Sequence, residues 1–267
     1  MLAEAKTEPP ALFLASLDSA EKSPQPPFDK GGRREAQGDL EQQRRHTQFL
    51  QGISSTSATT VTIIGIGNDG PSSLSRPALA EVWRADLLCG GERHLSFFPA
   101  HPAEKQVIRT NLSDIAALLT STQHRHAVVL ASGDPGFYGI ARFLIRALGK
   151  ERLTILPAPS AMQEAFARIK ESWDDALLLS VHGRSREGLV DVVRNHDKIA
   201  LFTDATNSPS AIAQALLAAG VDGHTAYVCE NLGAPDERVR VFDLTTLAET
   251  TDIAPLNTLI LLREVRP

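Results

Sequence analysis

Before about residue 59 the chain has no regular alternation of apolar and polar positions; from Val61 onward short apolar runs alternate with longer amphipathic ones. V-T-I-I-G (61–65) is a strand of β-branched residues that ends in glycine. R-P-A-L-A-E-V-W-R-A (76–85) reads as a helix, with Pro77 in the first turn, where its missing N–H has no partner to lose. A-D-L-L-C-G (85–90) is a second strand, followed by a helix over 113–122, a strand over 127–131, a helix over 139–148 and a strand at L-T-I-L-P (153–157). Buried runs that end in Gly or Pro and feed a helix predict a mostly parallel α/β sheet.

The second half has a different rhythm. A-L-L-L-S-V (176–181) and I-A-L-F-T (199–203) are strands around a helix at G-L-V-D-V-V-R (188–194). A helix over 208–220 has Ser208 as its cap and Gly220 as its stop. T-A-Y-V-C-E-N-L-G (225–233), R-V-R-V-F-D (238–243) and L-N-T-L-I-L-L-R (256–263) follow with little helix between the last two, which predicts a mixed, partly antiparallel sheet. The boundary falls at P-A-P-S, giving an N-terminal α/β domain over 59–158 and a C-terminal one over 159–267, with a cleft between them where a ligand would sit.

Residues 1–58 contain P-P, S-P-Q-P-P and S-S-T-S-A-T-T, with seven Lys/Arg against eight Asp/Glu. Few apolar anchors offset the entropy of ordering such a segment, so it reads as a flexible extension with short helices at most near 11–17 or 39–50. The chain of 267 residues is 42% hydrophobic and 22% charged, an ordinary globular composition. A net charge of -5 without a Lys/Arg block gives no footprint for nucleic acid. The apolar runs are too short to span a membrane, and Glu4 and Glu8 precede L-F-L-A, the wrong charge order for a signal peptide. A cytoplasmic location is the expectation. Cys89 and Cys229 read as small, reduced core residues rather than a disulfide, metal ligands or nucleophiles.

Five strand-end turns carry the candidate chemistry, and open α/β sheets bind ligands at such places. G-I-G-N-D-G (65–70) has dinucleotide-loop spacing, but Pro71 and Pro77 delay the helix and Asp86 opens the next strand, which disfavours a nicotinamide enzyme. A-S-G-D-P-G-F-Y-G (131–139) leaves main chain bare at Gly133, Gly136 and Gly139. Either its N–H groups and Asp134 hold the two ends of an amino-acid-like zwitterion, or Asp134 caps the following helix. In P-A-P-S-A (157–161) Ser160 is an N-cap whose hydroxyl also has a route to the cleft. S-V-H-G-R (180–184) and C-E-N-L-G-A-P-D-E (229–237) complete the set.

Taken in order, G-I-G, L-A-S-G-D-P-G-F-Y-G, S-V-H-G-R, T-D-A-T-N-S-P (203–209), E-N-L-G-A-P-D-E-R (230–238) and P-L-N-T-L-I-L (255–261) resemble the tetrapyrrole methyltransferase family. Within it they are most similar to the cobalamin-pathway branch that methylates carbon 5 of precorrin-7 or cobalt-precorrin-7. The resemblance implies a two-domain α/β dimer with S-adenosylmethionine in the cleft. It carries cofactor contacts onto Gly65, Gly67, Gly133, Asp134, Ser160 and Ala161, and onto Val181, Leu232 and Gly233. It also implies a corrin-pathway tetrapyrrole substrate and, since many relatives carry a fused carbon-15 methyltransferase-decarboxylase domain, a separate protein for that step. Family members often have proline after the second glycine of the first motif, where this chain has Asn68-Asp69.

A reaction of this kind relies mainly on alignment of donor and acceptor. His182 is the candidate base, with a structural imidazole bonded to main chain as the other reading. Arg184 is the leading partner for substrate carboxylates, ahead of Arg93, His94 and Arg186, of which Arg93 and Arg186 also read as solvated surface. Phe137 and Tyr138 either pack on a bound ring or seal the core, and Glu230 and Asn231 organise the last turn. Methylation at another corrin or siroheme position, and a non-catalytic scaffold, remain the alternatives.

Overall fold

The computed structural model describes residues 60–121 and 126–264; the predicted extension over 1–58 lies outside them. The first sheet contains β1 (Thr60–Ile66), β2 (Leu87–Gly90), β3 (Glu104–Val107), β4 (His126–Ser132) and β5 (Leu153–Leu156) in the order β3-β2-β4-β1-β5, all parallel. The side-chain period of two sorts its strands. Val61, Ile63, Cys89 and Val129 face helices α3 (Leu112–Thr120) and α4 (Ala141–Leu148). Ile64, Ile66, Leu88 and Leu130 face α1 (Arg76–Arg84) and α2 (Glu92–Ser96). Both faces are therefore covered, which is why the strands read as continuous apolar runs.

The second sheet, β6 (Leu177–Ser180), β7 (Lys198–Phe202), β8 (His224–Glu230), β9 (Arg238–Asp243) and β10 (Asn257–Arg263), is ordered β6-β7-β10-β8-β9. Only β6 and β7 pair in parallel; the other neighbours are antiparallel. Helices α6 (Leu189–Asn195), α7 (Pro209–Ala218) and α8 (Leu244–Glu249) cover one face. Helix α5 (Ala161–Ile169) covers the other through Met162, Ala165 and Phe166. The expected two-domain α/β fold, with a parallel N-terminal and a mixed C-terminal sheet, is what the chain forms.

The departures have local causes. Strand β3 is E-K-Q-V, a partly exposed edge strand without apolar alternation, so the pattern does not announce it. Helices α2 and α8 are too short for a helical period; α8 has only the cap in which Asp243 accepts from Thr246 N–H. Helix α4 begins at Ala141 rather than at 139, because Tyr138 sits at φ +55. A Cβ on Gly139 would also lie 2.5 Å from the Pro135 carbonyl oxygen, so the chain turns tightly here before it can coil.

Candidate functional site

Strand β1 connects through α1 towards β2, and β4 connects through α4 the opposite way to β5, so the chain switches direction between β1 and β4. Ligands of open α/β sheets bind outside the carboxyl ends of the strands at such a point. A cavity of about 480 Å³ opens there, lined by Ile66 and Gly67 after β1, by 130–134 at the end of β4, and by residues of the second sheet. Gly67, Gly133, Asp134, Ser160, Ala161 and Leu232 line it, and so do His182 and Arg184.

Gly65, Val181 and Gly233 do not line it. A Cβ on Gly65 would lie 1.9 Å from the Gly133 oxygen and 2.5 Å from the Ala158 nitrogen, so its bare Cα lets three strand ends converge. Val181 is a buried core residue. Gly233 makes a turn at φ +80, and its N–H donates to Glu237 Oε2.

In the 131–139 loop, Gly133 has φ +57, and a Cβ there would press on Ser160 Cα at 3.0 Å. Asp134 does not cap α4: its Oδ1 accepts from Gly136 N–H at 2.8 Å, an Asx turn, and the N-cap position is Ile140. Oδ2 accepts no hydrogen bond among the described residues, on a side chain that lines the cavity. Ser160 caps α5 in a capping box with Gln163, and its hydroxyl keeps its own proton to donate. One turn on, Glu164 also lines the cavity; burial raises its pKa against the pull of Arg168, and Asp69 and Glu237 add to the rise.

The first loop is not a phosphate cradle, since the Gly67 N–H already donates to Ser73 Oγ at 2.8 Å. Asn68 accepts a 2.6 Å hydrogen bond at Oδ1 from Arg93, whose guanidinium also donates to Ser132 Oγ at 3.0 Å. Arg93 is thus a half-buried cleft residue, which overturns the solvated-surface reading. Beside it, His94 Nε2 meets the same Ser132 Oγ at 3.0 Å. Burial, helped by the Arg93 charge, holds its pKa down at about 4, with the Leu130 carbonyl pulling weakly the other way. His94 is therefore neutral near pH 7 and is not a cationic partner. Arg186 reaches the Ala211 carbonyl on the surface, outside the cavity.

The second-sheet wall is held by T-D-A-T-N. Asp204 Oδ2 accepts from Gly183 N–H at 2.6 Å, and its Oδ1 accepts from the N–H groups of Thr206 and Asn207. Those bonds, Asn207 and Gly183 first, hold the Asp204 carboxyl below its usual range. Asn207 in turn donates to the carbonyls of Val181 and Arg184. The H-G-R turn is therefore clamped from both sides. His182 Nδ1 lies 2.8 Å from the Thr203 carbonyl oxygen, which can only accept. In its neutral tautomer the ring therefore has its proton on Nδ1, which leaves the lone pair on Nε2. Arg184 stacks on Tyr138, its Cζ 5.0 Å from the ring centre. Tyr138, 42% exposed and lining the cavity, also donates to the Leu178 carbonyl and packs edge-on against Phe137 and Phe202.

Cys229 lines the cavity too, but burial pushes its thiol up to about 12, as it does that of Cys89, so both stay protonated core residues. Ser132, Asn68, Glu164 and Asn257 are cavity residues that the sequence reading missed. Ser132 and Glu164 had a usable signal: one is the last residue of β4 before Gly133, the other lies in the first turn after the Ser160 cap.

The sequence profile of the tetrapyrrole (corrin/porphyrin) methylases matches residues 60–248. The chain belongs to that family. It is 35% identical to the cobalt-precorrin-7 C(5)-methyltransferase of Salmonella typhimurium over 179 residues, 67% of this chain and 88% of that one. It is 33% identical to the precorrin-6Y C(5,15)-methyltransferase [decarboxylating] of a Sinorhizobium species, covering 67% of this chain but 44% of that longer protein. Among solved structures, the precorrin-6Y methylase of Archaeoglobus fulgidus shares the fold with a TM-score of 0.56 at 21% identity, over 77% of this chain and 99% of that one. The uroporphyrin-III C-methyltransferase of Thermus thermophilus complexed with S-adenosylhomocysteine shares it with a TM-score of 0.61 at 19% identity, over 76% and 91% of the two chains. This tetrapyrrole methylase thus has its family's profile running through both sheets.

Proposed function

We propose that this methylase transfers a methyl group from S-adenosylmethionine to carbon 5 of precorrin-7 or cobalt-precorrin-7 in cobalamin biosynthesis. The observation that carries the position is the 35% identity to the Salmonella C(5) enzyme over 88% of that enzyme's length. The two buried free thiols suit a reducing, cytoplasmic compartment.

The residues of the cleft fit the cofactor. Asp134 offers a free carboxylate oxygen for an ammonium group, Gly133 lines the cleft beside Ser160 and Ala161 although its own N–H is spent on the Ile66 carbonyl, and Leu232 adds an apolar surface. When bound, the cofactor supplies an electrophilic methyl group on sulfur, so the chain need not activate the donor. The protein's part is alignment, exclusion of water and disposal of a proton. Replacing hydrogen by methyl on a ring carbon releases a proton, and His182 Nε2, freed by the bond at Nδ1, receives it. Arg184, braced on Tyr138, pairs with a carboxylate of the substrate.

Purified protein supplied with S-adenosylmethionine and enzymatically generated precorrin-7, with and without cobalt, tests this by product mass. One added methyl at carbon 5 is expected. In the folded His182→Ala variant, kcat falls by about 100-fold or more with KM nearly unchanged. Methylation at another carbon would overturn the assignment, and undiminished turnover by His182→Ala would remove the base.

A further inference from the structure

Among the described residues the guanidinium of Arg93 has neutral partners only. It donates to Asn68 Oδ1 at 2.6 Å and Ser132 Oγ at 3.0 Å, and Nη2 lies 3.4 Å from His94 Nε2. No carboxylate among the described residues stands within ion-pair distance of it. Arg168, by contrast, is paired with Glu237, and Arg238 and Arg240 with Glu230 and Asp252. Withdrawing a guanidinium partly from water without an opposite charge is costly, and its pKa is lowered by that burial alone. A fold that holds such a group at a cavity wall, oriented by two neutral acceptors, presents to the cavity a positive charge suited to an anion. Among the described residues at most three of the five N–H donors are engaged, one on Nη1 and two on Nη2, which leaves Nε–H and one Nη1–H free to donate singly to an anion. His94 beside it is neutral and 8% exposed, so the wall carries a single positive charge.

We propose that Arg93, set by Asn68 and Ser132, is a carboxylate receptor on the first-sheet wall of the cleft, while Arg184 grips a second carboxylate from the second-sheet wall. It rests on reading the cleft as the methylase site, since both reactants of that reaction carry carboxylates. The group that docks is either an acidic side chain of the tetrapyrrole or the amino-acid carboxylate of the cofactor. Two points of attachment on opposite walls fix a flat polycarboxylate in rotation as well as position, which one arginine cannot do.

The test uses the full chain as wild type, Arg93→Gln, Arg93→Lys and, as a control for loss of charge on the exposed face of α4, Arg146→Gln. Two probes are titrated separately: uroporphyrin, a stable tetrapyrrole polycarboxylate, by fluorescence, and S-adenosylhomocysteine by calorimetry. Arg93→Gln is expected to weaken one probe by roughly 10- to 100-fold and to spare the other. Loss of uroporphyrin affinity assigns the carboxylate to the substrate, and loss of S-adenosylhomocysteine affinity assigns it to the cofactor. Arg93→Lys recovers part of the loss, and Arg146→Gln binds as wild type. Because an unpaired guanidinium does not stabilise the free protein, Arg93→Gln melts no lower than wild type. Wild-type affinity for both probes in Arg93→Gln overturns the receptor and leaves the methylase reading intact. A lower melting temperature with both affinities reduced alike would make Arg93 a structural residue and also overturn it. Wild-type protein that binds neither probe would sink the methylase reading and the receptor with it.

Discussion

His94 shows how a side chain that titrates near neutrality in free solution is taken out of play by its surroundings. Burial and the Arg93 charge hold its folded pKa at about 4, against an ordinary value of 6.5. Between those two values the unfolded chain binds a proton that the folded chain does not, so stability rises with pH across that window. The contribution is complete above pH 6.5, is lost as pH falls towards 4, and is level below it. The difference corresponds to roughly 3 kcal/mol. Urea unfolding at pH 7 and pH 4.5 should therefore show a steeper loss for wild type than for His94→Asn, by about 2 kcal/mol or more. Equal losses in the two proteins would mean that His94 already carries its proton. In the sequence, His94 next to Arg93 reads as a basic pair. Only the burial of His94 against the end of β4, and Ser132 brought in from that strand, turn the pair into one cation and one neutral ring.

Among the elements, β8 and β9 are held together by charge as well as by their ladder. Glu230 is 0% exposed at the last position of β8. It accepts from Arg238 Nη2 at 2.7 Å, Arg240 Nε at 2.8 Å and the Ala254 N–H at 2.8 Å, which ties β9 and the 252–254 segment to the strand. The carboxylate is fully dry, whereas the Arg238 and Arg240 side chains are 45% and 24% exposed. Removing a partner of a buried charge costs most when the charge left behind cannot reach water. Arg240→Met is therefore expected to destabilise by about 1.5–3 kcal/mol, since Arg238 and the Ala254 N–H stay on the carboxylate, and Glu230→Gln by less, because both guanidiniums can rehydrate. Chemical denaturation of the two variants checks the order, and a larger loss in Glu230→Gln would refute the reasoning. Asn231 and Leu232 follow directly, so both variants should also loosen the turn that lines the cleft. At this scale the sequence was largely legible: strand after strand follows its apolar runs, and the Ser160 and Ser208 caps stand where the serines predict helices. What it hid were β3, with no buried face to write a pattern, and the role of Glu230, whose partners lie 8 and 10 residues on across a hairpin.

For the molecule as a whole, the strand-end turns could be found in the sequence but their convergence could not. The bond network of Asn68, Arg93 and Ser132 spans separations of 25 and 39 residues and depends on β4 lying between β2 and β1. No local signal sets that order. The same order has a thermodynamic consequence. The cavity is lined by Gly133 and Ser160 near the first sheet, and by His182, Phe202 and Leu232 from the second sheet and its turns. A ligand seated there binds the folded chain and not the unfolded one, and it touches elements from both sheets. At a free concentration about 100 times its Kd, S-adenosylhomocysteine should add roughly 2.7 kcal/mol to stability. For a folded unit of about 200 residues that moves the melting temperature up by about 5–10 °C. Because the contacts straddle the two sheets, the transition should also sharpen, with far- and near-ultraviolet probes melting together. A shift of the expected size with two separated transitions would place the ligand on one sheet alone. No shift at saturating ligand would show that the cleft does not hold this cofactor class.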